Sequence, residues 1–164
     1  MCVAVRIALL SAALALCGAA PARADQRLDA AEVRTFMAGV ASAARARDLS
    51  RLGAAMADDC RIELRTLIDG HEEITLLTRA EYLEQLEGGY AALAEPEQYD
   101  YRVTAQRISL EREPSAATVV SRVTETVSSR GRRLATATEE TARLERRDGR
   151  LRLVAVSSLT RAPR

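Results

Sequence analysis

The stretch RDLSRLGAAMADDCRIEL, from Arg47 to Leu64, changes its hydrophobic period midway. Leu49, Leu52 and Met56 recur at helical spacing, Asp48 is placed to cap them, and the helix is expected over 49–57. Asp58-Asp59 then closes it. From Cys60 the period drops to two: Cys60, Ile62 and Leu64 alternate with Arg61, Glu63 and Arg65, the pattern of a strand with one buried face. A short helix leading through an acidic pair into a half-buried strand predicts an α+β domain.

Upstream, Asp29 is placed to cap a first helix, with Glu32 at the capping-box position and Val33, Phe36, Met37, Val40 and Ala44 forming one apolar stripe. Downstream, Asp69-Gly70 marks a tight turn and Ile74, Leu76 and Leu77 a short return strand. Thr78 with Glu81 forms a capping box for a third helix, with Leu77 set to staple against Tyr82 and a stripe of Tyr82, Leu83, Leu86, Tyr90 and Leu93. Gly88-Gly89 weakens that helix and Pro96 stops it. Four long strands are expected over 98–112, 117–128, 132–146 and 150–161, turning at Glu113-Pro114-Ser115, Arg130-Gly131 and Asp148-Gly149. In the first of these, Tyr99, Tyr101, Val103 and Ala105 hold one phase while Ile108 and Leu110 hold the other. A bulge near Gln106 would put both sets on one face.

This order of elements resembles the nuclear transport factor 2-like superfamily, which includes the SnoaL-like and ketosteroid isomerase-like proteins. The likeness rests on Arg47 to Leu64 and on RRDGRLRLVAVSSLTR, from Arg146 to Arg161, and covers the chain after its leader. It implies three N-terminal helices packed on a strongly curved mixed or antiparallel sheet, a cone whose mouth often holds a small molecule. It also implies a homodimer through the outer sheet face. The catalytic residues of the isomerase-like members do not carry over. Their first-strand acid falls here at Leu64, their first-helix Tyr at Phe36 or Val40, and the last-strand His of many SnoaL-like members at Ala155 or Ser157.

Counting back from two-residue turns sets a register. Val127 then faces Leu134, Val123 faces Thr138 and Ser121 faces Glu140. In the next hairpin Leu144 faces Leu153, Ala142 faces Ala155 and Glu140 faces Ser157. Side chains alternate, so these residues share the apolar face, and Arg122, Thr124, Thr126, Glu139, Thr141, Arg143, Glu145 and Arg152 share the other. Glu140 is the anomaly, a carboxylate among small residues on the inner face. It reads as a pocket acid, as a solvated rim residue, or as the partner of an Arg such as Arg102. The candidate ligand-binding residues are Glu140, Ser121, Ser157, Tyr82, Tyr90 and Tyr101, with Glu140 the one candidate acid–base. Aromatic residues at this spacing are more often core, and the alternative is that one or two of the tyrosine hydroxyls line the cavity beside Glu140.

Composition excludes several functions. The chain has 164 residues with 24 basic and 23 acidic ones, and every basic residue is Arg. A near-neutral domain with scattered Arg lacks the clustered positive charge that nucleic acid requires, so no nucleic-acid partner is expected. Arg6, the apolar run from Ile7 to Leu16 and the small residues Ala22 and Ala24 predict a cleavable secretory signal over 1–24 and a single domain over 25–164. A lipoprotein signal ending at Cys17 fits less well, because Leu16 stands where a small residue is needed. The mature chain, exported to a periplasm or beyond, would hold one thiol, Cys60, and hence no internal disulfide. No later run is long enough to span a membrane. His71, alone beside Glu72 and Glu73, lacks a metal-ligand set, and neither metal nor cofactor is expected. Three functions remain: a non-catalytic binder of a small, mostly apolar ligand or a partner, an isomerase, dehydratase or hydrolase using Glu140, and a homodimeric assembly module.

Overall fold

Helix α1 (Ala30–Arg45) starts at Asp29, whose carboxylate accepts the Glu32 amide at 2.7 Å. A computed structural model describes residues 27–92, 99–111, 115–129 and 132–161. The expected signal and its cleavage site, Leu93, Pro96 and the turns at Glu113-Pro114 and Arg130-Gly131 lie outside the described residues. The Glu32 side chain does not complete the expected capping box. It reaches Arg146 instead, accepting from Nη2 on both carboxylate oxygens at 2.8 and 2.7 Å.

Helix α2 (Leu49–Ala55) is capped by Asp48 and ends two residues earlier than expected. Met56 already has an extended backbone and pairs with Leu153, so strand β1 (Met56–Ile68) takes over there. Sheet hydrogen bonding outcompetes one more helical turn, and Asp58-Asp59 lies exposed inside the strand. Asp69 and Gly70 both have positive φ, as a two-residue hairpin turn requires, and lead into β2 (His71–Thr78). Helix α3 (Arg79–Ala91) carries the full capping box between Thr78 and Glu81, and runs through Gly88-Gly89. Two helices thus precede the sheet and the third follows its first hairpin, so the helices are not all N-terminal to it.

Strands β3 (Tyr99–Leu110), β4 (Ala116–Ser129), β5 (Arg132–Arg147) and β6 (Arg150–Arg161) form the meander. The six-stranded sheet has the order β2-β1-β6-β5-β4-β3, antiparallel except for the β1–β6 pair. It is a curved, open, mixed sheet with the helices on one face. The expected bulge in β3 occurs at Thr104, where Val103 pairs with Val123 but Ala105 pairs with Arg122. The Thr104 hydroxyl donates to the Arg122 carbonyl at 3.2 Å across this break. Tyr99, Tyr101 and Val103, and then Ile108 and Leu110, consequently sit in one phase, whereas Ala105, expected with the first set, falls in the other phase opposite Arg122 because the bulge precedes it.

The core lies between α1 and the sheet, around Val33, Ile62, Val119 and Leu144. Burying a side chain such as Leu144 is worth about 2 kcal/mol. A second cluster joins the end of α1 to α2, β3 and β4 through Ala43, Leu52, Tyr101 and Val123. Among the described residues no helix is long and apolar enough to cross a membrane.

Cys60 is buried in the first cluster, as the strand phase predicts. Desolvation, with a smaller contribution from Asp59, pushes its thiol up to about 11. A thiol reagent is expected to label native protein slowly and to label it stoichiometrically once denaturant is added. Fast labelling of the native state would show that β1 faces the other way.

Candidate functional site

Glu140 stands in the middle of β5, between Ser121 of β4 and Ser158 of β6. Its inner-face placement follows from the pleat, since Ala142 and Thr138, two residues away on either side, are both buried. The two core clusters do not close over it. Between them lies a cavity of about 220 Å³, lined by Met37 and Val40 of α1, Leu64 of β1, Leu86 of α3, Val156 of β6 and Glu140 itself. All four tyrosines of the chain, Tyr82, Tyr90, Tyr99 and Tyr101, line it as well.

A second carboxylate lines the same cavity. Glu125 of β4 pairs with Tyr101 and Thr136, in phase with Val123 and Ser121. The Tyr99 hydroxyl donates to Glu125 Oε1 at 2.7 Å, and the Tyr101 hydroxyl donates to Glu140 Oε2 at a long 3.4 Å. Thr138 and Thr160 share a hydroxyl–hydroxyl bond of 2.9 Å in the wall. Glu125 was missing from the residues expected here. The count that placed Glu140 inward also places Glu125 inward, two residues before Val127.

Burial, first of all, pushes Glu140 up to about 7; the Glu125 carboxylate adds to this and the Tyr101 hydrogen bond opposes it. Glu140 keeps some accessible surface because it lines a cavity, yet it is deep enough for desolvation to dominate. The phenols move the same way. Burial raises Tyr82 and Tyr101, with Glu140 the next cause for both, and burial followed by Glu125 raises Tyr99. They remain hydrogen-bond donors across the working pH range. Glu140 near pH 7 can donate a proton when neutral and accept one when ionised, the property required of a general acid–base.

Two expected site residues are elsewhere. Ser157 is on the opposite face, because β6 carries a bulge at Val154: Leu144 pairs with Leu153 but Arg143 pairs with Ala155. The extra residue flips the phase, so Ala142 meets Val156 and Glu140 meets Ser158. Val156, Ser158 and Thr160 face the cavity in place of Ala155 and Ser157. Ser121 is paired with Glu140 as expected and is buried, but its hydroxyl accepts from Gln106 Nε2 at 3.3 Å and does not line the cavity. The rival pairing of Glu140 with Arg102 is absent. Arg102 is opposite Thr124 on the outer face and binds Asp100 at 2.6 Å. His71 is exposed at the start of β2.

Two other clefts differ in kind. One of about 420 Å³ beside α2 is charge-balanced, with Arg79 on Asp58 and Arg147 on Asp59. One of about 670 Å³ on the outer sheet face has Leu76, Thr118, Arg143 and Ser157 in its lining. Leu76 is 73% exposed there, and Ile74 on the same strand 57%.

No family model and no curated protein matches the chain. Solved structures do. A nuclear transport factor 2-like protein with a cystatin-like fold from Novosphingobium aromaticivorans aligns over 79% of this chain and 79% of its own, at 14% identity and a TM-score of 0.61. A nuclear transport factor 2-like protein from Pseudomonas putida aligns over 81% and 85%, at 16% identity and 0.58. A ketosteroid isomerase-like protein from Erwinia carotovora aligns over 81% and 96%, at 18% identity and 0.56. Likeness at this identity is likeness of fold.

Proposed function

The chain has the nuclear transport factor 2-like fold, and from that premise we propose that it is an exported, non-catalytic binder of one small, mostly apolar molecule, held in the cavity between helices and sheet. The observation that carries this reading is Glu140. It is a carboxylate with no Arg within ion-pair distance among the described residues, set with Glu125 in a cavity otherwise lined by apolar side chains, tyrosines and a few hydroxyls. An engineered apolar cavity of about 150 Å³ takes up benzene, so about 220 Å³ has room for one ring with a short side chain. Leu64, Phe36 and Val40 stand where isomerase-like members carry catalytic groups, which favours binding over the isomerase reaction.

A second reading is favoured by one observation. Glu140 near 7 beside the Tyr101 hydroxyl is a pair fit for acid–base chemistry on a bound substrate. The exposed Ile74 and Leu76 beside the outer cleft suit a homodimer, which is compatible with either reading.

Native mass spectrometry of protein purified from its own host tests the proposal. The expected spectrum shows a chain beginning at Asp25 with one small non-covalent adduct, and the adduct is lost in Glu140→Gln. An adduct retained by Glu140→Gln, or an empty cavity in protein that has never been unfolded, would count against a Glu140-anchored ligand. Turnover of the released compound by wild type and not by Glu140→Gln would favour the enzyme. An amino terminus at a lipid-modified Cys17 would refute the processing site.

A further inference from the structure

We propose that the ligand of this cavity is an organic cation, an ammonium group carried on an apolar body of about one ring, recognised by Glu125 and Glu140 in a lining of tyrosines. This rests on the reading of the cavity as a small-molecule site and names the chemistry that site selects.

The argument begins with charge. Two carboxylates line one cavity, and among the described residues neither takes part in an ion pair. Among those residues the Tyr101 hydroxyl is the one hydrogen-bond donor to Glu140, at 3.4 Å to Oε2, and Oε1 accepts none. A buried carboxylate without a cationic partner is unfavourable, and a guest that brings positive charge relieves it. A carboxylate or phosphate guest would meet two like charges instead.

The aromatic lining points the same way. Tyrosine faces attract a cation through the ring quadrupole, and aromatic cages are a recurrent solution for ammonium ligands. Tyr90 and Tyr99 meet edge to face, with centroids 5.8 Å apart. Arg47 already stacks on these two rings from outside the cavity, which leaves Tyr82 and Tyr101 as the tyrosines nearest a guest at Glu140. The Arg47 guanidinium carbon lies 5.8 Å from the Tyr90 centroid and 5.2 Å from that of Tyr99, and Arg47 is not part of the cavity lining. Tyr82 and Tyr101 approach Glu140 from α3 and β3. Met37, Val40, Leu86 and Val156 supply the surface against which the apolar body packs.

The test compares benzyltrimethylammonium with neopentylbenzene, which has the same shape with carbon in place of nitrogen. The chain has four tyrosines, all at the cavity, and no tryptophan, so intrinsic fluorescence reads the site directly, with calorimetry as the second readout. At pH 8 the cation is expected to bind about tenfold or more tighter than its neutral isostere. Glu140→Gln and Glu125→Gln should each remove most of that preference. Both substitutions preserve shape and remove a charge from the cavity, and a thermal melt confirms folding. The groups facing Glu140 are Glu125, Tyr82 and Tyr101. With Glu140 at about 7, affinity for this permanently charged probe should fall between pH 8 and pH 6, because the cation must displace a proton.

Equal affinity for the two compounds would overturn the inference and leave the small-molecule reading intact. A preference that survives both substitutions would place the charge recognition outside this cavity and overturn it too. Binding of neither compound overturns it as well. In that case, a host-derived adduct on the native protein would keep the small-molecule reading, and an absent adduct would remove both.

Discussion

Glu140→Gln is expected to be more stable than the wild type at pH 8, by about 1–3 kcal/mol, and no more stable near pH 4. The sign follows from which state binds the proton more tightly. A glutamate in the unfolded chain titrates at about 4.5, and in the fold Glu140 is pushed up to about 7. The stability associated with this carboxyl is therefore fully present below about pH 4 and declines as pH rises through the folded value. Above pH 7 the whole cost is incurred, because the folded state must hold an anion that burial disfavours. Moving a carboxyl from 4.5 to about 7 corresponds to about 3 kcal/mol at the upper limit, at about 1.4 kcal/mol per tenfold change. Glutamine keeps the shape and never ionises. Urea melts of both proteins from pH 4 to pH 8 give the difference directly. A clear loss of stability in Glu140→Gln at pH 8 would show that the carboxylate is held by a partner.

Two controls sharpen this result. The Glu125 charge contributes to the elevation of Glu140, so Glu125→Gln should bring Glu140 back toward its ordinary range and shrink the gain from Glu140→Gln. The neighbouring phenols cannot account for a change in this window, since burial raises Tyr82 and Tyr101 further above it. Arg102→Met should change stability by less than about 0.5 kcal/mol at any pH in the series, because Arg102 is 72% exposed and on the outer face.

Much of this site is legible in the sequence, and what is not has physical causes. The bulge in β3 announces itself because the apolar phase moves from Val103 to Ile108 across polar residues. The bulge in β6 does not. Val154, Ala155 and Val156 are apolar in succession, so the slip leaves no break in the pattern, and Ser157 was assigned to the wrong face. The Thr78–Glu81 capping box is local and was readable, whereas Glu32 at the same position in α1 is captured by an Arg 114 residues away. The acidic pair after α2 reads as a helix exit until the pairing of Met56 and Arg61, on either side of it, with β6 is known, because parallel neighbours leave no local trace. Glu125 needed no new information. Its neighbours Thr124 and Thr126 give that part of β4 the pattern of a solvated face, although the register points Glu125 inward.

Glu32→Ala is expected to cost about 3 kcal/mol, far more than its place near the surface of α1 suggests. The reason is Arg146. Its side chain is 8% exposed, while that of Glu32 is 36% exposed. Nη2 donates to both Glu32 oxygens, Nη1 has a long bond of 3.4 Å to the Gly149 carbonyl, and Nε is buried without a partner. Removing Glu32 leaves a buried guanidinium with almost nothing to compensate its lost hydration. The reverse deletion is different in kind. Arg146→Met puts an apolar chain of similar length against the core, and the freed Glu32 can turn to water, so the cost should stay below about 1 kcal/mol. The double variant should then resemble Arg146→Met alone, which makes the coupling about 2 kcal/mol or more. Denaturant melts of the four proteins at pH 7 close this cycle. Equal losses in the two single variants would mean that the pair acts as an ordinary surface ion pair, and that the docking of α1 onto the sheet rests on Val33 and its apolar neighbours alone.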